Sequence, residues 1–381
     1  MGPVNSRASS PAVSLAAACV AGLVSAIQTQ VNGQLGAQLG PGPTNALLAA
    51  LMSFTGGLVI ALILVLVSHR ARTGLKRVAA SLRGAATSGT RQPGTQDLGT
   101  PTIGHLRWYH VIGGAAGGLF VTTQSLTVPV IGVALFVVGV TAGQSVGSLA
   151  CDRLGIAPGG KRALTPTRLI GPLLTVAAVV ITRWTGMASR SASDLWLVAL
   201  PTIAGIIVAL QLTINSRVEK VASSPVSAFI STLDDSGGLR ATGDLTASAP
   251  HPDRVTGVMA AVTLNFMVGT AALLVAFVGF AAILGTGDLA TGPGVFQWWM
   301  FLGGPLGLIF IAISAAVISR IGALLLALAI IAGQTVGAVI LDAASGRPTA
   351  WTTLVGVALV IIAVAVPAFL DRRSTAHGDD E

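Results

Sequence analysis

The chain has 381 residues, of which 52% are hydrophobic and 9% are charged, and its formal net charge is +8. Soluble domains contain about 25% charged residues, so this composition excludes an ordinary soluble enzyme, a disordered protein and a coiled coil. A membrane-spanning helix needs about 20 apolar residues, and the hydrophobic content is enough for roughly ten of them. We therefore predict an all-α integral membrane protein.

Ten apolar segments follow one another along the chain. The first follows Arg7, contains the small pair Ser25-Ala26 and resembles a cleavable secretory signal. We interpret it as a retained first helix, because a related segment recurs in the middle of the chain. Short breaks at Val128-Pro129 and Ser319-Arg320 separate two pairs of spans, and re-entrant segments at these breaks are an alternative. The predicted spans are 12–36, 44–68, 108–126, 130–151, 167–183, 195–215, 256–285, 297–318, 321–341 and 350–370.

Lys and Arg residues are distributed unevenly between the loops. If the N-terminus is cytoplasmic, all of the 22 basic residues except Arg183, Arg190 and Arg347 lie on the cytoplasmic side. This bias follows the positive-inside rule, so we predict a multi-pass protein of the cytoplasmic membrane with both termini in the cytoplasm. Basic residues placed in this way set the orientation of the protein in the lipid bilayer, and we expect no nucleic acid partner.

Two loops are long, and both are predicted to be cytoplasmic. Residues 69–107 are rich in Gly, Ser, Thr and Arg, with little periodicity, and we interpret them as a flexible linker. Residues 216–255 include the pair Asp234-Asp235, which could suggest magnesium-diphosphate chemistry. No third carboxylate stands at a matching spacing, so we interpret this segment as a solvated loop inserted in the second half of the chain.

Short motifs from the first half of the chain recur in the second half, at offsets of 190, 183 and 212 residues respectively. The repeated motifs are AGQSVG at 142–147 and AGQTVG at 332–337, Gln28-x3-Asn32 and Gln211-x3-Asn215, and Ser53-Phe54 and Asn265-Phe266. Each copy contains five predicted spans, and an odd number makes the second copy enter the membrane from the opposite side. We therefore predict two inverted five-helix repeats, residues 1–184 and 195–381, an architecture typical of secondary transporters.

Uncharged amides are the polar groups that the predicted spans contain. An unpaired amide in hydrocarbon is costly, so each should face the interior of the bundle. Residues spaced i, i+4 share one helix face. One hypothesis is an uncharged cavity that hydrogen-bonds a small-molecule substrate; the alternative is hydrogen bonding between helices, worth about 0.6 kcal/mol per pair. The candidate residues are Gln28, Asn32, Gln144, Gln211, Asn215, Asn265 and Gln334.

Acidic residues are essentially lacking inside the predicted spans, and Glu219 is placed beyond the sixth. No set of nucleophile, base and orienting acid can be assembled, and no metal-ligand spacing occurs, so we predict neither an enzyme nor a cofactor. The pairs Gly113-x3-Gly117 and Gly303-x3-Gly307 are typical of close helix packing.

These motifs resemble a known family. Gln28-x3-Asn32, Gly40-Pro41, Ser53-Phe54-x2-Gly57 and Ala-Gly-Gln-x-x-Gly together are similar to the YdcZ-type inner-membrane exporters of the drug/metabolite transporter superfamily. Single members of that type correspond to one five-span half, so this chain resembles two fused halves. The resemblance implies a ten-span carrier. Small multidrug members of the superfamily carry a glutamate in the first span, whereas residues 12–36 contain no acidic residue.

We therefore expect a secondary transporter of small metabolites or drugs that works by alternating access. The rival hypothesis is a membrane protein that transports nothing and acts as a scaffold or partner-docking module. A passive channel is disfavoured, because no charged ring or filter-like segment occurs. The sequence leaves open the substrate, the direction of transport, the coupling ion and whether the chain forms a homo-oligomer.

Overall fold

The computed structural model describes residues 11–87, 106–156, 196–224 and 253–344, with a few isolated residues between 160 and 177 and between 355 and 362. All the regular secondary structure in these ranges is helical. The predicted spans 167–183 and 350–370 lie almost entirely outside the described residues, as does Asp234-Asp235. The helices are α1 (Pro11–Leu39), α2 (Pro43–Val67), α3 (His69–Thr87), α4 (Gly113–Leu154), α5 (Trp196–Ser223), α6 (Arg254–Leu284) and α7 (Gly303–Ala344), with short 3-10 turns at Trp108–His110 and Trp298–Leu302.

Six helical stretches of the described residues are long and apolar enough to cross a membrane. This confirms the predicted α-helical membrane protein. The total of ten spans, two of which fall in ranges that the structure does not describe, stays a prediction. The six stretches are Ala12–Leu39, Pro43–Val67, Trp108–Val133, Ala199–Ser223, Arg254–Leu284 and Trp298–Leu341.

Helices α4 and α7 are each interrupted by one glycine. Each helix has 42 residues, which would extend about 63 Å if straight, roughly twice the hydrocarbon thickness. Gly132 (φ 79°, ψ 162°) and Gly322 (φ 84°, ψ 168°) break them near the middle. Such dihedrals are open to glycine and strained for residues with a Cβ atom. The interruptions at Gly132 and Gly322 therefore lie a few residues after the predicted breaks at Val128-Pro129 and Ser319-Arg320. Each lies at the first following glycine, which can adopt this conformation.

The two legs of α4 run in opposite directions, as the order of their contacts with α5 shows. The first leg is antiparallel to α5, because later residues of the leg contact earlier residues of α5. The second leg is parallel to α5, because later residues of the leg contact later residues of α5. Helix α7 has the same relation to α1. Each long helix is therefore a hairpin, and each leg is long enough to cross a bilayer. The nearest contacts with α5 pair Gly113 with Asn215, Gly117 with Gln211, Gly143 with Thr202, and Gly147 with Ile206.

Glycines bring the paired helices into backbone contact. A Cβ atom added at Gly333 in α7 would lie 1.9 Å from the carbonyl oxygen of Cys19 in α1, and one at Gly22 would lie 2.1 Å from that of Ile330. The seam between α4 and α5 repeats this arrangement, with 1.9 Å from Gly143 to the Thr202 oxygen and 2.2 Å from Gly205 to the Val140 oxygen. Small residues permit this approach, which is how helices pack where no hydrophobic effect drives them together.

Residues 69–87, inside the segment predicted as a flexible linker, form the amphipathic helix α3 instead. Ala71, Gly74 and Val78 are buried on one face, and a Cβ atom at Gly74 would lie 2.6 Å from the carbonyl oxygen of Thr256 in α6. The Arg77 side chain donates a 2.9 Å hydrogen bond to the carbonyl of Ala222 in α5. Leu75, Val78 and Leu82 recur at helical spacing in this segment, and they pack against residues of α5 and α6. Residues 88–105 of the predicted linker lie outside the described ranges.

Candidate functional site

The first polar cluster joins α1, α2 and the first leg of α4. We call it the Asn32 cluster, and all of its side chains are almost completely buried. It faces the start of α7, because a Cβ atom at Gly303 would lie 2.0 Å from Asn32 Oδ1 and one at Gly307 would lie 2.6 Å from Gln28 Nε2. The small residues predicted for packing thus make room for amide side chains. The members of the Asn32 cluster are Gln28, Thr29, Asn32, Ser53 and Gln124.

A chain of hydrogen bonds fixes the direction in which the Asn32 amide points. The Thr29 hydroxyl donates to the Ser25 carbonyl (2.8 Å), and therefore accepts from Gln124 Nε2 (2.8 Å). Gln124 Oε1 is then left to accept from Asn32 Nδ2 (2.7 Å). Because a backbone carbonyl can only accept, the polarity of the whole chain is set at Ser25. Asn32 Oδ1 remains a buried acceptor without a partner among the described residues.

The second polar cluster joins α5 and α6, and we call it the Asn215 cluster (Gln211, Asn215 and Asn265). Gln211 Nε2 and Asn215 Nδ2 both donate to Asn265 Oδ1, at 3.0 and 3.1 Å. The Asn265 amide nitrogen makes no hydrogen bond within the part of the chain that the structure describes. The cluster faces the first leg of α4, where a Cβ atom at Gly117 would lie 2.5 Å from Gln211 Nε2.

An aromatic pair lies between the two clusters. The ring centroids of Phe54 and Phe266 are 5.0 Å apart, and both side chains are buried. A Cβ atom at Gly117, beside Gln211, would lie 3.2 Å from Phe54 Cζ; one at Gly307, beside Gln28, would lie 3.5 Å from Phe266 Cζ. Each ring thus lies against one amide cluster, and the pair separates the two.

The remaining predicted amides lie on the helix seams. Gln334, in the second leg of α7, donates a 2.8 Å hydrogen bond to Ser25 Oγ in α1. Gln144 lies on the corresponding seam, where its backbone nitrogen is 2.9 Å from a Cβ atom added at Gly205. Both side chains are buried, and their Oε1 atoms have no partner among the described residues. The structure thus groups Gln28 with Asn32 and Gln211 with Asn215 and Asn265, and places these two glutamines apart from both groups.

Three members of the Asn32 cluster, Thr29, Ser53 and Gln124, were not among the candidate site residues, although the sequence places Gln124 at the outer end of the third predicted span. Gln124 is the central one, since it bonds both Thr29 and Asn32. An amide inside an apolar span was the available signal. Ser53 was visible as the repeat partner of Asn265, but a lone serine in a span is commonplace.

Two acidic side chains, those of Glu219 and Asp152, are almost completely buried. Glu219, expected beyond the sixth span, lies within α5 with 4% of its surface exposed, and its Oε1 accepts from Ser223 Oγ (3.0 Å). Asp152 is 1% exposed and its Oδ2 accepts from the backbone N–H of Leu324 (3.3 Å), two residues after the break in α7. This carboxylate therefore caps the second leg of that helix. The described residues bring no three His, Cys, Asp or Glu side chains together as metal ligands.

Comparison with known proteins gives a family. The family model described as "Putative inner membrane exporter, YdcZ" matches residues 13–181 and 253–366. No curated protein matches the chain. The fold is similar to that of a solved structure titled "Crystal structure of protein", with a TM-score of 0.52, 17% sequence identity and coverage of 96% of this chain and 98% of the other. Identity at this level establishes similarity of fold alone.

The family match confirms the resemblance carried by the Gln28-x3-Asn32 and Ala-Gly-Gln-x-x-Gly motifs, and it covers most of the chain. It also agrees with a membrane transporter rather than with an enzyme class. This chain belongs to the YdcZ family of inner-membrane exporters.

Proposed function

We propose that this protein is a secondary transporter that carries a small polar molecule across the cytoplasmic membrane by alternating access. The observation that carries the proposal is the pairing of amides with glycines at repeat-related positions. Gln28 meets Gly307 as Gln211 meets Gly117, with the Phe54–Phe266 pair between the two contacts. In a carrier built from inverted repeats, two such polar clusters about an aromatic pair at the repeat interface can open to opposite sides of the membrane in turn.

The contacts between α2 and α6 support an inverted relation between the two halves. A Cβ atom at Gly57 would lie 2.2 Å from the Phe266 ring, and one at Gly269 would lie 2.3 Å from the Phe54 ring. Rising numbers in α2 thus meet falling numbers in α6, so these repeat-related helices cross in opposite directions. With the N-terminus in the cytoplasm, the Asn32 cluster lies toward the outside and the Asn215 cluster toward the cytoplasm.

The glycine seams provide surfaces along which the halves can move. The backbone contacts at Gly22 and Gly333 carry no interlocking side chains, so a slide along this seam mainly has to break the hydrogen bond between Gln334 and Ser25. A shift on the α1–α7 seam can therefore open one cluster while the equivalent α4–α5 seam closes the other.

The unpaired polar atoms indicate what the substrate carries. Asn32 Oδ1 needs an N–H or O–H donor, and Asn265 Nδ2 needs an acceptor. An unsatisfied buried group costs about 1–3 kcal/mol, so a substrate that satisfies these atoms gains affinity at each cluster. We therefore expect a small molecule with both hydrogen-bond donors and acceptors, such as a polar metabolite. In the scaffold hypothesis the same amides serve only to pack the helices.

Cysteine accessibility tests this proposal without a known substrate. Cys19 and Cys151 are replaced by Ala, and single cysteines are introduced by Ser53→Cys or Asn265→Cys, which occupy repeat-related positions. Ala50→Cys is the matched control, since Ala50 lies one turn before Ser53 and is fully buried. Each variant is labelled in intact membranes with a membrane-impermeant thiol reagent applied to either side.

We expect the cysteine at 53 to react from the outside, the cysteine at 265 to react from the cytoplasm, and the control at 50 to react from neither. Equal inertness of all three in folded protein would contradict a pathway and favour the scaffold. Reaction of both sites from both sides, accompanied by an ion current, would indicate a channel.

A further inference from the structure

We propose that helix α3 lies at the membrane surface and that its basic face binds anionic phospholipid headgroups. The helix follows a lipid-facing surface directly. Leu62, Ile63, Leu66 and Val67, on the last two turns of α2, are 43–75% exposed, which suits contact with lipid tails. Ser68 then leaves the helical conformation (φ −108°, ψ 117°), and α3 begins at the next residue. The start of α3 therefore coincides with the end of the hydrocarbon layer.

The inner face of α3 is held by the ends of other helices. Arg70 forms an ion pair with Asp253 (3.7 Å), the residue that precedes α6. Gly74 meets Thr256 in the first turn of α6, and Arg77 bonds Ala222 at the end of α5. Because these contacts lie within about one turn of a helix end, they hold α3 at the surface end of the bundle rather than among the spans.

The outer face of α3 carries a basic stripe, formed by Arg72, Lys76 and Arg83. Spacings of four and seven residues place these side chains on one helix face, opposite the buried Ala71 and Val78. All three are exposed, and residues 69–87 contain no acidic residue. Arg72 also donates to the carbonyls of the last turn of α2, which anchors the stripe beside the lipid-facing surface.

Anionic phospholipid is the partner that this arrangement fits. Each basic residue near an anionic bilayer strengthens its attraction about fivefold. An open stripe about 16 Å long at the level of the headgroups can meet several lipid phosphates together, whereas it encloses no single soluble anion. The site is separate from both amide clusters and does not depend on the transport proposal.

Native mass spectrometry of the purified full-length protein tests the site. The detergent-solubilised protein is titrated with phosphatidylglycerol or with zwitterionic phosphatidylcholine. The variant Lys76→Gln/Arg83→Gln removes two charges of the stripe and leaves the Arg72 anchor intact. One control, Lys76→Arg/Arg83→Lys, preserves the charges. A second control, Arg153→Gln/Lys161→Gln, removes one Arg and one Lys that are exposed elsewhere.

The wild type is expected to prefer phosphatidylglycerol, and Lys76→Gln/Arg83→Gln should lose most of this preference. The charge-preserving control should bind as the wild type does, and the distant control should retain the preference. The melting temperature of each variant is measured without lipid, so that a loss of lipid binding can be distinguished from a loss of folded protein. Equal binding of the two lipids, or equal losses in the stripe and distant variants, would overturn the proposal. Full competition by soluble glycerol phosphate would indicate a site for a free anion and would overturn it too.

Discussion

Adding one methyl group at Gly333 should separate α1 from α7. In Gly333→Ala the new Cβ atom would lie 1.9 Å from the carbonyl oxygen of Cys19 and 3.0 Å from the backbone nitrogen of Leu23. Real Cβ contacts essentially never fall below 3.0 Å, so the seam must open by about 1 Å. Both neighbours are backbone atoms of a regular helix, so no side-chain rotation can relieve the clash.

The cost follows from the packing that this opening destroys. A gap of 0.5–1 Å forfeits about a quarter to a half of the dispersion energy of the atoms that face it. Overpacking of this kind typically costs about 1–3 kcal/mol, and the backbone contact places Gly333→Ala near the upper end. Gly279→Ala in α6 is the matched control, because no atom lies within 4 Å of its added Cβ. Its higher helix propensity should leave the control neutral or up to about 1 kcal/mol more stable.

Thermal unfolding in detergent, followed by tryptophan fluorescence, measures both variants. Gly333→Ala should melt several degrees below the wild type and Gly279→Ala at or above it. Gly143→Ala should match Gly333→Ala, since its Cβ atom would also lie 1.9 Å from a carbonyl oxygen. A wild-type melting temperature for Gly333→Ala, or an equal decrease for Gly279→Ala, would contradict the close backbone contact between α1 and α7.

Three further outcomes are expected. Gly303→Ala places a methyl group 2.6 Å from Ser53 Oγ and should abolish labelling of a cysteine at position 53, whereas Gly56→Ala, whose nearest contact is 3.6 Å, should leave labelling unchanged. The Thr256 hydroxyl donates to Asp253, and this hydrogen bond, with help from Arg70, lowers the pKa of the Asp253 carboxyl. Because the pKa of Asp253 is lower in the folded state, the ionised carboxylate stabilises the fold at pH values above the ordinary pKa of Asp, and this stabilisation is lost as the pH falls. Asp253→Ala should therefore reduce the free energy of unfolding by about 1 kcal/mol near pH 7 and by progressively less below about pH 4. A difference in melting temperature that stays constant across this pH range would contradict the prediction. Topology reporters fused after residues 90 and 240 should report cytoplasm and one fused after 190 the outside, and a cytoplasmic report at 190 would break the five-plus-five arrangement.

The membrane class and the family were predictable from the sequence because they depend on local composition and short motifs. A run of apolar residues crosses a bilayer whatever surrounds it, since every backbone polar group is satisfied within the helix. The amides had to be buried in the bundle for the same reason. Predicting that Gln28 and Asn32 share a face needed only the helical period.

The positions of the helix interruptions in α4 and α7, and the packing of α3, depend on more than the local sequence pattern. Val128-Pro129 looks like the natural interruption, but proline fixes φ at about −65°, which is a helical value, whereas Gly132 can adopt the dihedrals of the reversal. Residues 69–87 carry Leu75, Val78 and Leu82 at helical spacing, but the helices that bury this face, 196–223 and 254–284, lie far along the chain. No local window of sequence contains those partners.

The α-helical membrane class, the YdcZ family and the burial of the polar residues within the helices could all be predicted from the amino-acid sequence. The grouping of those polar residues could not, because it depends on how the helices pack. The candidate amides form two clusters on either side of Phe54 and Phe266, with Gln144 and Gln334 left on the helix seams. Burial of a polar residue can be predicted from that residue alone, because it follows from the cost of exposing its side chain to hydrocarbon. Grouping depends on which helices meet, and that is set by glycine contacts between segments far apart in the chain.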